Sequence, residues 1–283
     1  MRHSSSVALS AAVLLLLAGC AAPERAIHLG STAIGIDNPR SGGFSALEVT
    51  EGGARLIAVS DRAVLLRARI EREGARITGL SQVALTDLPG RDSTVPENSD
   101  AEGLGTDGDR LWISYEQRHR VVVLPGGREL PRPPDTRVLP PNRGLEALAI
   151  DARKDLYALP EWPVDGGFPV YRFDGASWAV AGILPRRGRF VPAGADFGPD
   201  GALYVLERAF VGVGFRSRVR RVTFGDGTIA AEETLLSTPP GRHGNLEGIA
   251  VWTDAGGTLR MTMIADDNFM PFQRNEIVEY ALP

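Results

Sequence analysis

A chain of 283 residues with a net charge of -4 lacks the basic footprint of a nucleic-acid-binding protein. Its single cysteine excludes an intrachain disulfide, so the fold must be held by its core or by a metal. With 33 glycines and 20 prolines the chain must turn often, which favours short strands over long helices.

Arg2 and His3 precede an apolar run from Val7 to Ala18, broken only by Ser10. The run is too short to span a bilayer and suits a signal-peptide core. The segment Leu17-Ala18-Gly19-Cys20 resembles a bacterial lipobox, which implies cleavage before Cys20 and acylation of its sulfur. On that reading residues 1–19 are a signal peptide with lipobox, and residues 20–25 are the lipidated cysteine and tether. An ordinary secretory signal cleaved near Ala22 is the alternative. Ala21 in second place gives no sign of inner-membrane retention, so the same resemblance implies an outer-membrane anchor by default. The expectation is an exported periplasmic chain that touches the membrane through the Cys20 lipid anchor only.

Residues 26–283 repeat a small-residue strand, a turn and a second apolar strand that ends in a carboxylate. The copies open at Ser45-Ala46-Leu47-Glu48, Glu102-Gly103-Leu104-Gly105, Glu146-Ala147-Leu148-Ala149, Ala193-Gly194-Ala195-Asp196 and Glu247-Gly248-Ile249-Ala250. Their spacing is about 45 to 55 residues, the size of a four-stranded propeller blade. The fold is therefore all-β, a β-propeller most simply counted as five-bladed, or six-bladed if two units are merged. The last unit offers three strands, and the segment Ala26–Ile36 supplies the fourth and closes the ring. A β-sandwich competes, but its strands would not repeat with a carboxylate in register. Gly103 to Gly108 matches G-x-G-x-x-G, yet it lies between two strands, and Asp107-Gly108 reads as a hairpin turn.

Glu102, Glu146 and Glu247 begin the innermost strands, with Ser45 and Ala193 in that place in the other copies. Asp61, Glu116, Glu161, Glu207 and Asp266 end the second strands. Antiparallel neighbours bring a strand's start beside the next strand's end, so both sets gather at one mouth of the central channel. Carboxylates so placed repel one another, and an oxygen-only set suits a hard cation, Ca²⁺ before Mg²⁺. Glu102, Glu146, Glu247, Asp266 and Asn268 are the candidate metal ligands. Glu161, Glu207 and Asp267 are candidate general bases. Arg143, His243 and Asn245 are placed to contact a substrate. The structural alternative is that such acids bind backbone amides or a neighbouring blade's arginine.

Asn142-Arg143-Gly144-Leu145-Glu146, Asp196-Phe197-Gly198-Pro199-Asp200-Gly201, Asn245-Leu246-Glu247-Gly248 and the closing Asp266-Asp267-Asn268-Phe269 with Gln273-Arg274-Asn275 resemble the phytase-like family, "esterase-like activity of phytase". The resemblance implies a propeller, export, and calcium-assisted hydrolysis of phosphate or other esters. A non-catalytic propeller binding an envelope partner and a lactonase-like enzyme are the other readings. The expected partner is a small-molecule ester or an envelope component, and the expected state is a monomer.

Overall fold

The structure is a computed structural model that describes residues 25–91, 95, 99–212 and 214–282. The signal peptide, the lipobox and Cys20 lie outside the described residues. Twenty strands form five four-stranded antiparallel sheets. Blade I holds β2 (Phe44–Thr50), β3 (Arg55–Ser60), β4 (Val64–Glu73) and β5 (Arg76–Asp87). Blade II holds β6 (Ala101–Thr106), β7 (Leu111–Tyr115), β8 (Arg120–Leu124) and β9 (Arg128–Glu129). Blade III holds β10 (Leu145–Ile150), β11 (Leu156–Pro160), β12 (Gly167–Phe173) and β13 (Trp178–Pro185). Blade IV holds β14 (Val191–Phe197), β15 (Leu203–Phe210), β16 (Phe215–Gly225) and β17 (Thr228–Ser237). Blade V joins β18 (Asn245–Thr253), β19 (Leu259–Asp266) and β20 (Glu276–Leu282) to β1 (Ile27–Ala33).

The N-terminal strand β1 is thus the outermost strand of the last blade, antiparallel to β20. This closure settles the blade count at five. The innermost strands β2, β6, β10, β14 and β18 contact one another in a closed cycle.

The core is divided rather than central. Five apolar layers each join residues of two adjacent blades. Phe44 and Trp252 pack between blades V and I, Leu104 and Val59 between I and II, and Trp112 and Tyr171 between II and III. Phe168 and Val205 pack between III and IV, and Tyr204 and Met263 between IV and V. The strand faces toward the next blade are therefore apolar, and the channel is left to polar side chains.

Each innermost strand carries a bulge at its mouth end. The residue at the bulge is Ser45, Glu102, Glu146, Ala193 or Glu247, the same position that opened each sequence repeat. A bulge re-aims the side chain it carries, so the repeat's acids are turned by a repeated backbone device. Small residues follow because the strands crowd there. A Cβ on Gly194 would lie 2.3 Å from the Glu247 carbonyl oxygen, and one on Gly248 would lie 2.8 Å from Ala46 Cα.

Candidate functional site

Strand register defines two tiers of side chains at the mouth. The upper tier is set by pairs just beyond each bulge. Asp61 N donates to Gly43 O at 2.8 Å, Glu116 N to Asp100 O at 3.0 Å, and Glu161 N to Gly144 O at 3.0 Å. In blade V, Asp266 pairs with Asn245, and in blade IV, Arg208 pairs with Val191. The tier therefore reads Asp61, Glu116, Glu161, Arg208 and Asp266. The lower tier is the bulge set of Ser45, Glu102, Glu146, Ala193 and Glu247.

This corrects the reading of blade IV. Glu207 pairs with Pro192, one residue below the tier. A one-residue slip sends a strand side chain to the other face. Glu207 is accordingly sealed inside blade IV, where it accepts hydrogen bonds of 2.5 Å from Arg218 Nε and from Arg220 Nη2. Both of its oxygens are engaged by guanidinium groups, so it is no general base at the mouth. The tier position belongs to Arg208, a cation.

Arg208 divides the mouth electrostatically. Its Nη1 donates to Glu247 Oε1 and, at 3.2 Å, to Asn245 Oδ1, and its Nη2 lies 3.4 Å from Glu161 Oε1. Asn245 Nδ2 donates to the same Glu247 oxygen at 2.6 Å. Burial opposes the Arg208 charge, but Glu247, Glu146, Glu161 and Glu102 outweigh it and push its pKa up. Glu247 is thus held by an arginine of the neighbouring blade. Its own pKa still rises to about 8, because burial and Asp266 exceed the effect of Arg208.

The other half of the mouth is richer in acids, and Arg208 reaches it through Glu161. Oxygens of Asp100, Glu102 and Glu116 lie within 4.8 Å of one another, and so do those of Glu116, Glu146 and Glu161. Glu116 is shared by both triads, at the junction of blades II and III. Burial, then the neighbouring acids, raise Glu102 and Glu146 well above the carboxylate range. Burial raises Glu116 to about 7, against a hydrogen bond with Glu146. Ca²⁺ takes oxygen ligands at about 2.3–2.6 Å, so two ligands of one ion stand up to about 5 Å apart. The spacing and the all-oxygen chemistry of both triads fit such an ion.

The remaining candidates are distributed around this centre. Burial and then Asp266 raise Asp61 to about 7, and its Oδ1 is buried without a hydrogen-bond partner. Asp267 Oδ1 accepts from Gly43 N at 2.8 Å and Phe269 N at 3.2 Å, so it ties the closing loop to blade I. Asn268 donates its backbone N–H to Asp266 Oδ1 at 2.6 Å, while its amide donates to Gln273. Its side chain is therefore turned to the loop rather than to the acids. Arg143 is exposed at the rim, its guanidinium 5.3 Å from the centre of the Trp162 ring. His243 shares a 2.7 Å hydrogen bond with the Tyr280 hydroxyl and packs against His28 of β1. Burial, followed by His28 and Arg242, pushes its pKa down to about 4, so it is neutral at pH 7. Deeper in the channel, burial and Asp196 raise Glu48, and burial raises Asp196 to about 7.

Asp100 and Arg208 were absent from the expected set. Arg208 had a signal. Counting five residues from the leading leucines Leu56, Leu111, Leu156 and Leu203 gives Asp61, Glu116, Glu161 and Arg208. Asp100 had none, because its equivalents are Gly43, Gly144, Val191 and Asn245, with no shared chemistry.

A family model described as "Esterase-like activity of phytase" matches residues 39–269. The chain belongs to the phytase-like family. Among solved structures, this phytase-like propeller is similar to glutaminyl cyclase of Myxococcus xanthus, with 14% identity and a TM-score of 0.50. That match covers 90% of this chain and 95% of the other. A gluconolactonase of Xanthomonas campestris matches at 17% identity and a TM-score of 0.44, covering 85% of this chain and 72% of that one. A glucose dehydrogenase matches at 13% identity and a TM-score of 0.42, covering 90% and 98%. Among curated proteins no sequence matches the phytase-like chain.

Proposed function

We propose that this phytase-like propeller is a calcium-assisted hydrolase of phosphate or carboxyl esters. The observation that supports this most is the pair of largely buried carboxylate triads sharing Glu116 at one end of the channel, beside a fixed arginine. Asp100, Glu102, Glu116, Glu146 and Glu161 would hold the ion. When bound, Ca²⁺ supplies Lewis-acid polarisation of an ester oxygen and a more acidic water. Arg208, with 21% of its side chain exposed, is placed to donate to the charge that develops on the ester. Asp61, half protonated near pH 7 and with an unengaged oxygen, is suited to take up or return a proton at the mouth. Asp267, outside both triads, is a second mouth carboxylate that could do so.

The ion pairs of Arg208 with Glu247 and Glu161 favour a second reading, in which the mouth is a neutralised, non-catalytic binding face. A panel of phosphate and carboxyl esters, assayed with Ca²⁺ and with chelator, separates the two. Calcium-dependent turnover lost in Glu116→Gln supports hydrolysis. Calcium binding without turnover on any ester favours the binding face. The lipobox adds the proposal that the propeller works in the periplasm, tethered through Cys20 to the outer membrane. Release of a Cys20→Ser variant into the soluble periplasmic fraction at high salt would support that placement, and retention with the membrane at high salt would oppose it.

A further inference from the structure

The two ends of the propeller carry different chemistry. Turns at the end away from the mouth are built on Asp107, Asp151, Asp174, Asp200, Asp226 and Asp254. Several of these cap their own turns, as Asp174 does by accepting from Ser177 N at 2.8 Å and Asp254 from Thr258 N at 2.9 Å. The loops at the mouth carry more exposed arginines, among them Arg62, Arg132, Arg137, Arg143, Arg186 and Arg242, while Asp87, Asp135 and Asp165 are also exposed there and Arg76, Arg110 and Arg153 at the opposite end. Large exposed apolar side chains follow the same division. Val138, Trp162, Phe210, Met270 and Phe272 all stand at the mouth, Phe272 with 77% of its surface in solvent and Phe210 with 59%. The other large apolar residues exposed among the described residues are Ile27, Val83, Val180 and Ile183, on the outer strands β1, β5 and β13. Of these, Ile27 pairs with Ala281 at the opposite end, and the other three lie along the blade edges.

We propose that the mouth rim is a docking face for an anionic lipid bilayer. Its apolar tips come from separate loops before and within blades III, IV and V, with arginines between them and Glu102, Glu116, Glu146, Glu247 and Asp266 buried at the centre. A soft, flat surface engages all the separated tips at once. Apolar side chains set among cations at an interface give this kind of binding, and each arginine near an anionic membrane strengthens it about five-fold. The proposal is independent of ester hydrolysis, since it concerns the rim and requires no turnover.

All five blades lie within residues 25–282, so a chain begun at Ala21 keeps the whole ring and lacks Cys20. This chain is sedimented with vesicles of phosphatidylcholine alone or with roughly a third phosphatidylglycerol. The expected result is salt-sensitive binding to the anionic vesicles only. It should weaken about five-fold in Arg137→Gln and about ten-fold or more in the Phe210→Ser, Phe272→Ser double variant. Arg153→Gln, at the opposite end, should bind as the parent does. Brominated lipid should quench fluorescence, and Trp162→Phe should remove that quenching. Melting curves establish that each variant is folded. Equal binding to both vesicle types, binding to neither, unchanged binding by folded rim variants, or capture of a soluble protein without vesicle binding would overturn the proposal.

Discussion

Replacing Arg208 by glutamine tests whether charge or packing organises the mouth. The guanidinium is the partner of Glu247 and reaches Glu161 and the Asn245 amide. At pH 9 the wild-type Glu247, with its pKa raised to about 8, is mostly ionised, and Arg208→Gln leaves that buried charge without its cation. The carboxyl escapes that state by taking up a proton, which at pH 9, one unit above its pKa, adds about 1.4 kcal/mol to the loss. At pH 5 Glu247 already holds its proton, and the loss is confined to hydrogen bonds, about 1 kcal/mol. A domain of this size shifts its melting temperature by about 2–4 °C per kcal/mol. The expected fall is about 7 °C at pH 9 and about 3 °C at pH 5, read by calorimetry in chelator. An equal fall at both pH values would show that Arg208 fills space rather than balancing charge, and would refute the reasoning.

The metal-free protein should lose stability as pH rises. Asp61, Glu116 and Glu247 hold pKa values of about 7, 7 and 8 in the fold, whereas unfolded carboxylates titrate near 4. Between those limits the native state binds more protons than the unfolded chain, so stability is full near pH 4 and falls through pH 7–8. Denaturant midpoints measured from pH 5.5 to 8.5 should therefore decrease, and an increase would contradict the assigned burial. Glu207→Gln should destabilise by about 3 kcal/mol or more, because Arg218 and Arg220 lose their shared carboxylate, and it should leave calcium affinity unchanged. A matching loss of calcium binding would return Glu207 to the site. Gly194→Ala should cost about 1–3 kcal/mol in chemical denaturation, because its Cβ would press on the Glu247 carbonyl. A neutral outcome would mean that the strands part there without strain.

The fold was legible because the propeller repeats its solution to one packing problem five times. Small residues follow each bulge where strands crowd, and the bulge position coincides with the repeated Glu, Ser or Ala. Closure by the N-terminal strand was legible from the missing outer strand of the last unit. The acid mouth was legible in part, since antiparallel pairing brings the ends of two strands together whatever the side chains are. Two things were not. A strand hides a one-residue slip, because Glu207 and Arg208 are adjacent and both polar, yet they face opposite sides. Side-chain turns within loops also escape sequence reasoning. The Asn268 side-chain amide donates to Gln273 rather than facing the acids, and His243 is turned to Tyr280.

The central claim is that the two triads meeting at Glu116 form a calcium site, and calorimetric titration of the metal-free protein addresses it most directly. Saturable calcium binding is expected, with a rise in melting temperature of about 5–10 °C at a hundred-fold excess over the dissociation constant. Glu116→Gln, which touches both triads, should abolish the binding, and Glu247→Gln, on the arginine-neutralised side, should largely retain it. No heat of binding and an unchanged melting temperature would contradict the account, as would calcium binding that survives Glu116→Gln intact.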